Sequence, residues 1–591
     1  MKKRLIALCA LLCVLCCLAS CGGNTQSTDV FRLSHFNGIA ENGAMDSAYF
    51  YRNDFRVSGG DAQVIYVSEE QDETYGGYYY MYMSMCDGVE MEIFYGEDEH
   101  RSAISCFRSK DLNDWERVGA VDNGFCVRFE MDEWCTETAW APEVIYNPYD
   151  EKYYLYCASV ANPNPMWTPV EYPTAGGIFD RFYLAICVSD TPVGPFKLCT
   201  SENYYGDATQ VNPNGKVITN QNPPINPRFD LNLDHLFGII DPHPFFDDVD
   251  SDGDGKNDFY LYFVRHQSSD SLFNSIWGMK MKDMITPDYD TARCLTVPNY
   301  RTVEYIEDSS FKPMDIKSYK MIDEFINTDK YMELEDKTGY VSKADYGEEY
   351  NINEAPFMWK DGGRYYLTYS PQGVGAIGYQ VRQAIGDSPL GMFDKPTLDP
   401  ATFMGAADTN TEMLGTGHHC FIDGGNGELF CMHWPNMEPM TDWINQTGRG
   451  CAVDRVHFID DATYGRILTG GPTNSLQAKP SRYTGRVNVA PKATVTATNA
   501  VAGTEKYLND EVVVFRSYFA DKEFCANGKT TVTLSFSKPT EVSAILIYNS
   551  FGYNYAFDSI DSILFYLAKK PAWFTVGNNA SVAGIFDLPF S

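Results

Sequence analysis

The chain has 591 residues, and its 80 Asp and Glu against 46 Lys and Arg give a formal net charge of −34. A chain this acidic repels phosphate backbones, which argues against nucleic acid as a partner and leaves neutral polymers such as glycans compatible. The length exceeds that of a usual single domain, so two or more domains are expected.

The N-terminus reads MKKRLIALCALLCVLCCLASCGG, with three basic residues, a short apolar run and small residues before Cys21. The run is short for a membrane span and has the form of an export signal. It resembles the lipobox of bacterial lipoproteins, in which the cysteine is lipidated. We therefore predict a signal peptide over residues 1–20, a tether over 21–45 and a lipid anchor at Cys21, outside the cytoplasm at the cell surface. An ordinary cleaved signal is the alternative.

The mature chain has an all-β composition. Phe, Trp and Tyr make up 14% of the residues, and their runs alternate with Gly, Asn, Asp and Pro. Such runs are typical of strands, and no long helical periodicity accompanies them. The 12 cysteines after residue 21 form no CxxC pair, which favours buried thiols over a disulfide framework or a zinc site.

One short module recurs five times along the chain. Its strand-like half appears as YYYMYMS at 78–84, KYYLYCAS at 152–159, FYLYFVRH at 259–266, RYYLTYS at 364–370 and ELFCMHW at 428–434. A partner segment precedes each run and contains a leading polar residue, which is in turn Asp61, Glu143, Asp241, Glu354 and His418. Five such hairpins predict a five-bladed β-propeller over residues 46–484.

The propeller geometry gives the polar residues a common place. The innermost strands of a propeller run along the central axis, so groups at their starts converge at one mouth. Asp61, Asp241 and Glu354 are therefore expected to meet although they are far apart in sequence. The alternative is that each acid merely opens a turn, as Asp often does.

The ordered motifs GDAQVIYV, SKDLNDWERVG, WAPEV, IDPHPF, NEAPF and GTGHH resemble glycoside hydrolase family 43 over roughly residues 46–480. Members of that family are five-bladed propellers that hydrolyse arabinofuranosides and xylosides with inversion. The resemblance implies that Asp61 is the general base, Glu354 the general acid and Asp241 the carboxylate that orients the acid and raises its pKa. It also implies that His418 helps to hold a metal ion or water in the central channel. Ala62 and Ala355 stand where the family usually has Pro and Gly.

The chemistry explains why several acids are needed. Inverting hydrolysis uses a carboxylic acid and a carboxylate roughly 6.5 to 9.5 Å apart, with water between the base and the sugar. A neighbouring carboxylate keeps the acid protonated, because two close like charges resist joint ionisation. Trp140 is a candidate sugar-stacking wall. Glu143 is a candidate for substrate binding, with blade packing as its alternative role.

The acidic run DSDGDGKND fits the D-x-D-x-D-G-x-x-D spacing of calcium loops through Asp250, Asp252, Asp254 and Asp258. Leu261 stands where an EF-hand has its bidentate glutamate. A structural calcium and a solvated hairpin tip therefore both remain open. The chemistry itself is expected to require no cofactor.

The sequence changes character at about residue 485. NVAPKATVTATNAVAG and TTVTLSFSKPTEVSAILIYNS resemble discoidin-like, galactose-binding modules, which predicts a β-sandwich over residues 485–591. This segment is shorter than usual for such a module, so the sandwich is expected to be incomplete. Its role is either glycan binding or packing against the propeller.

The sequence favours a lipid-anchored glycosidase that acts on an oligo- or polysaccharide containing arabinose or xylose. A retaining fructosidase-like propeller is one alternative, but its first motif carries Asn where Gly60 stands. A surface glycan-binding lipoprotein with an inactive propeller is another. The retention of all three carboxylates argues against it.

Overall fold

The computed structural model describes residues 49–53, 59–84, 102–130, 138–160, 182–199, 238–266, 274–296, 352–374, 378–391, 393–395, 402–405, 414–436, 449–461, 465–469, 471–473, 476–512, 523–548, 562–567, 570–575 and 583–587, with a few positions between them. The predicted signal peptide, tether and Cys21 lie outside these residues. The chain forms two compact units. One contains Val57–Thr473 and Lys479–Ser537, and the other contains Met1–Arg56, Asn474–Ala478 and Lys538–Ser591.

Five antiparallel sheets follow one another along the first unit, each made of consecutive strands. A two-residue strand, β1 (Phe50–Tyr51), precedes them. Blade 1 has β2 (Gly60–Val67), β3 (Tyr78–Ser84), β4 (Ala103–Ser109), β5 (Glu116–Arg117) and β6 (Phe125–Arg128). Blade 2 has β7 (Ala139–Asn147), β8 (Lys152–Val160), β9 (Phe182–Ser189) and β10 (Lys197–Leu198). A small hairpin of β11 (Gln210–Val211) and β12 (Val217–Ile218) comes next.

Blade 3 has β13 (Gly238–Phe246), β14 (Phe259–His266), β15 (Ser275–Met281) and β16 (Arg293–Thr296). Blade 4 has β17 (Asn353–Asp361), β18 (Arg364–Pro371), β19 (Gln380–Gly386), β20 (Phe393–Asp394) and β21 (Thr402–Gly405). Blade 5 has β22 (Leu414–Gly425), β23 (Glu428–Asn436), β24 (Ala452–Asp461) and β25 (Gly465–Thr469). The first strands of the blades contact one another in a closed ring, which confirms the predicted five-bladed propeller.

The second strands explain the aromatic runs in the sequence. In β3 every residue after Tyr78 is buried, and in β14 every residue before His266 is buried. A strand that is covered on both faces reads as a continuous apolar run rather than as an alternating one. Stacking of the blades therefore requires the tyrosine-rich segments that repeat along the chain.

A β-bulge recurs at the same place in all five inner strands. In blade 3 the register with β14 shifts between Ile240 and His243, so that two residues oppose one. The first bulged residue has a left-handed φ of 46 to 52° in every blade, which is rare for residues other than glycine. These five residues are Asp61, Ala141, Asp241, Ala355 and His418.

Side chains of the preceding blade hold several of these bulges. Ser84 Oγ accepts a hydrogen bond from Ala141 N–H at 2.8 Å, and Ser370 Oγ accepts one from His418 N–H at 3.0 Å. Left-handed backbone costs of order 1–3 kcal/mol per residue and persists where the surroundings fix it. The cross-blade bonds provide such fixation at the entrance of the channel.

The ring closes without strand exchange, because none of the described strands crosses from one blade to another. Closure between blade 5 and blade 1 uses side chains of residues 479–485, which we call the closing segment. Lys479 Nζ lies 2.7 Å from Asp111 Oδ2 of blade 1, and both side chains are buried. Arg482 bonds Asp423 of blade 5 at 2.7 Å and covers the Tyr66 ring of blade 1 at 3.9 Å.

The remaining elements are short. The closing segment contains a four-residue helix, α1 (Ser481–Thr484), and 3-10 turns occur at Asp122–Gly124, Tyr289–Thr291, Ala490–Lys492 and Glu505–Leu508. After it, β27 (Thr494–Ala497) pairs with β28 (Val532–Ser535) in the propeller's unit. In the part of the chain that the structure describes, no helix has the length and apolar character needed to cross a bilayer.

The described residues of the second unit form three two-stranded sheets. Strand β1 pairs with β26 (Gln477–Ala478), β29 (Ala544–Tyr548) pairs with β32 (Ala583–Asp587), and β30 (Ser562–Leu567) pairs with β31 (Lys570–Thr575). The predicted segment 485–591 is thus shared between the two units, which divide after Ser537. Its assignment as a discoidin-like β-sandwich stays a prediction.

Candidate active site

Asp61 lies at the bulge of β2 and is held by three polar groups. Arg449 Nη1 donates to its Oδ1 at 3.1 Å, Ser84 Oγ donates to its Oδ2 at 3.2 Å, and His418 Nδ1 lies 3.3 Å from Oδ1. Burial acts to raise the pKa of Asp61, but the charges of His418 and Arg449 and the hydrogen bonds lower it below its usual range. Asp61 is therefore the ionised carboxylate of the site.

Asp241 and Glu354 form the protonated side of the site. Asp241, at the bulge of β13, accepts a hydrogen bond from Ala355 N–H at 3.0 Å through Oδ2, so it touches the inner strand that carries Glu354. Burial, Glu354 and Asp61 together raise the pKa of Asp241 far above its usual range. Burial raises the pKa of Glu354 to about 7, and the negative charge of Asp61 adds to this increase.

The pairing of each inner strand with its neighbour shows that the five leading polar residues do not all occupy the same position in their blades. Only Asp61, Asp241 and His418 occupy the bulge, because alanines stand there in blades 2 and 4. Glu354 comes one residue before its bulge, and Glu143 comes two residues after Ala141. The sequence analysis aligned the polar residues with one another, whereas in blades 2 and 4 the residue at the bulge is an alanine and the glutamate stands at a different offset.

Glu143 consequently lies in a layer below the mouth. The equivalent residues of the other blades are Gln63, His243, Phe357 and Cys420, all of them buried. Glu143 Oε2 lies 2.6 Å from His243 Nδ1, which joins blade 2 to blade 3. This contact fits the packing alternative for Glu143, and substrate binding by this residue stays a prediction.

Trp140 has a register position that suits a sugar-binding wall. It precedes the bulge of β7, as Glu354 precedes that of β17, and its side chain is only half-buried. Its ring meets Phe182 edge-on at 5.0 Å, which fixes one side of the indole. Stacking of a sugar on Trp140 stays a prediction.

His418 and His419 of blade 5 have different partners. His418 faces Asp61, and burial lowers its pKa. His419 Nε2 lies 2.6 Å from Thr368 Oγ1. Its Nδ1, like Nε2 of His243, is buried with no hydrogen-bond partner among the described residues. Either nitrogen has the chemistry to bind a water or a metal ion, whereas metal binding by His418 stays a prediction.

The aspartate loop between β13 and β14 is well formed without a ligand. The carboxylates of Asp250, Asp252 and Asp254 come within 4.8 Å of one another and are exposed. Asp258 is instead buried and lies 2.8 Å from Lys280 Nζ, which also contacts Asp252 at 3.1 Å. The oxygen donors suit calcium, but the Lys280 ammonium group already contacts two of the four carboxylates. Calcium binding here stays a prediction.

Two residues of the site carry no signal in the sequence motifs. Arg449 precedes β24, and its guanidinium reaches across to Asp61 of blade 1. Tyr379 precedes β19, is buried, and donates a hydrogen bond from its hydroxyl to Glu354. Ser84 and Ser370 could have been found, because both end a repeated aromatic run.

Three carboxyl groups stand at the start of the inner strands, and the surroundings lower the pKa of Asp61 and raise that of Glu354 to about 7, which is the pattern that hydrolases with a carboxylate pair use. Residues 314–464, which include the inner strands of blades 4 and 5, match the family model described as glycosyl hydrolases family 43. The matched residues are 151 of the 591 positions, so the similarity to this family covers about a quarter of the chain.

Several solved structures are similar to the chain at low identity. An endo-1,4-beta-xylanase from Bacteroides thetaiotaomicron is 20% identical over 72% of this chain and 96% of its own, with a TM-score of 0.40. An alpha-L-arabinofuranosidase from Lactobacillus brevis is 16% identical over 72% and 97%, with a TM-score of 0.42. An alpha-L-arabinanase from Cellvibrio cellulosa is 12% identical over 70% and 95%, with a TM-score of 0.37. No curated protein matches the chain.

Proposed function

We propose that the chain hydrolyses arabinofuranosyl- or xylosyl-containing glycans with inversion, using Asp61 as general base and Glu354 as general acid. The observation that carries this division is the opposite shift of the two pKa values within one site. Asp61 is kept ionised by Arg449 and His418, whereas burial keeps Glu354 protonated up to about pH 7. Two carboxyl groups whose surroundings separate their pKa values are suited to acid and base work.

The proposed reaction is a single displacement. Asp61 takes a proton from water as the water oxygen attacks the anomeric carbon. The bond to the glycosidic oxygen breaks on the opposite face, and Glu354 gives its proton to that oxygen. Asp241 acts beside Glu354, where the two carboxyl groups resist joint ionisation and the bond of Asp241 to Ala355 N–H fixes the neighbouring backbone.

The substrate class rests on the motifs and on charge. The ordered motifs of blades 1 to 5 resemble those of a family that acts on arabinosides and xylosides. A net charge of −34 favours neutral pentose polymers over polyanionic ones. No cofactor is assigned to the chemistry, because the proposed proton transfers need only carboxyl groups.

A substrate panel with product analysis tests the proposal. The full chain is incubated with arabinofuranosyl, xylosyl and galactosyl substrates, and NMR follows the anomer of the first product. We expect the inverted anomer from a pentoside, and loss of hydrolysis with retained binding in Glu354→Gln. An initially retained anomer would exclude Asp61 as base and favour the fructosidase-like mechanism. Binding of pentose oligosaccharides without cleavage by the wild type would favour the glycan-binding alternative.

We also propose that the chain is a cell-surface lipoprotein anchored at Cys21. The basic start, the short apolar run and the small residues before Cys21 support this location. Labelled palmitate should be incorporated by the full chain, and Cys21→Ser should abolish both labelling and sedimentation with membranes. Labelling that persists in the variant would contradict the anchor.

A further inference from the structure

The residues that precede the five bulges leave two gaps at the mouth. They are, in blade order, Gly60, Trp140, Ile240, Glu354 and Gly417. Blades 5 and 1 follow blade 4 around the ring, and both have glycine at this position. The side of Glu354 toward blades 5 and 1 is therefore free of inner-strand side chains at this level.

Other parts of the chain fill these gaps. A Cβ built on Gly60 would lie 2.4 Å from Arg449 Nη1, and one built on Gly417 would lie 2.3 Å from Cε1 and 2.6 Å from Cζ of Tyr379. The tyrosine ring thus lies against the bare backbone of Gly417. Neither glycine has a left-handed φ, so space rather than backbone conformation requires glycine.

Tyr379 is well placed to control Glu354. Its ring is buried next to Gly417, and its hydroxyl donates to the Glu354 carboxyl group, as does the backbone N–H of Val374. Burial raises the pKa of Tyr379 well above its usual range, so the hydroxyl stays a donor throughout the working pH range. A donor on one carboxyl oxygen makes that oxygen the acceptor and leaves the acidic proton to the other.

We propose that Tyr379 is a positioning residue for proton donation by Glu354, and that Gly417 of the GTGHH motif admits its ring. This inference rests on the proposed role of Glu354 as general acid. Tyr379 selects the oxygen of Glu354 that carries the proton and holds the carboxyl plane toward the leaving oxygen. Gly417 then acts through Tyr379 on Glu354 of blade 4, and not on the neighbouring His418 of its own blade.

The test uses leaving groups that need acid assistance to different degrees. Values of kcat/KM are measured with dinitrophenyl, nitrophenyl and phenyl glycosides of the preferred sugar, in the full chain and in Tyr379→Phe. We expect at least about 10-fold loss on the phenyl glycoside and little loss on the dinitrophenyl glycoside, because general acid catalysis contributes about 10²- to 10⁴-fold only where a proton is needed. The alkaline limb of the pH profile should move upward, since a hydrogen bond that lowers the pKa of Glu354 is lost.

Two further variants keep the outcomes separable. Tyr262→Phe removes another buried hydroxyl, which donates to Pro389 O at 3.0 Å, and should affect all three leaving groups equally. Glu354→Gln should show the strongest leaving-group dependence. If it shows none, the proposed acid is wrong. If Glu354→Gln shows it but Tyr379→Phe loses the same factor on every substrate, or loses nothing, only the role of Tyr379 is overturned. Gly417→Ala should reproduce the Tyr379→Phe pattern.

Discussion

Replacing Gly60 by alanine should shift the acid side of the pH profile upward without unfolding the enzyme. The new methyl group would lie 2.4 Å from Nη1 and 3.0 Å from Cζ of Arg449. These atoms are the end of a flexible side chain, so the guanidinium can move away while the backbone stays in place. Arg449 would then lose its 3.1 Å hydrogen bond to Asp61.

The size of the shift follows from that bond. A hydrogen bond to a charged group contributes about 1.5–3 kcal/mol, and one pKa unit corresponds to about 1.36 kcal/mol. Loss of the bond should therefore raise the pKa of Asp61 by about 1 to 2 units. The wild-type pKa lies below the usual value of 3.8, and the base works only when ionised. The variant should lose activity at a correspondingly higher pH as the solution is acidified.

The assay is kcat/KM as a function of pH with an uncharged aryl glycoside. The position of the acid limb is compared, because the alanine also changes the shape of the mouth and hence the absolute rate. Gly278→Ala is a matched control, since its methyl group would crowd the Tyr262 ring at 2.8 Å in the core of blade 3. It should lower the melting temperature and leave the limb unmoved. A folded Gly60→Ala enzyme with the wild-type acid limb would refute the role given to Arg449.

Three further predictions use other contacts. The wild-type alkaline limb of the pH profile should lie near pH 7, where Glu354 deprotonates. Asp241→Asn should leave that limb in place, because Asp241 is still protonated when Glu354 titrates; a limb moved to lower pH would show that Asp241 carries a negative charge there. Lys479→Met should lower the free energy of unfolding in urea by about 3 kcal/mol. This is the low end for a broken buried ion pair, because backbone N–H groups still bond Asp111. An unchanged unfolding midpoint would contradict closure of the ring by this pair. Ser84→Ala and Ser370→Ala should each lower the free energy of unfolding by about 1–3 kcal/mol, because each leaves the N–H of a bulge residue without its acceptor. Only Ser84→Ala should also move the acid limb of the pH profile to higher pH, because only Ser84 bonds Asp61.

The blades were predictable from sequence because their packing imposes a sequence pattern. Burial on both faces forces the second strand of each blade to be a continuous aromatic run, and the run at 78–84 coincides with β3. The acids Asp61, Asp241 and Glu354 were also predictable, since each stands within a recurring motif. These features depend on local chain properties that repeat.

The partners of the acids could not be predicted in the same way. Arg449 reaches Asp61 across 388 positions of the sequence. Tyr379 reaches Glu354 from the start of a third strand, and a lone tyrosine among 40 carries no sign of that role. The layer of Glu143 also depended on a bulge, whose extra residue changes the register without changing the composition.

The side-chain closure of the ring sets an order on folding. Asp111 and Lys479 are 368 positions apart, so their pair can form only after all five blades have been synthesised. Each blade pairs its strands locally, which lets the blades form in turn during synthesis, whereas joining the two ends carries the entropic cost of a very long loop. A chain that stops before the closing segment would keep its five sheets and the contacts between β2 and β22, and would lack the Lys479–Asp111 pair. The closing segment, which follows the last strand of blade 5, is thus the last part of the propeller to be joined to blade 1.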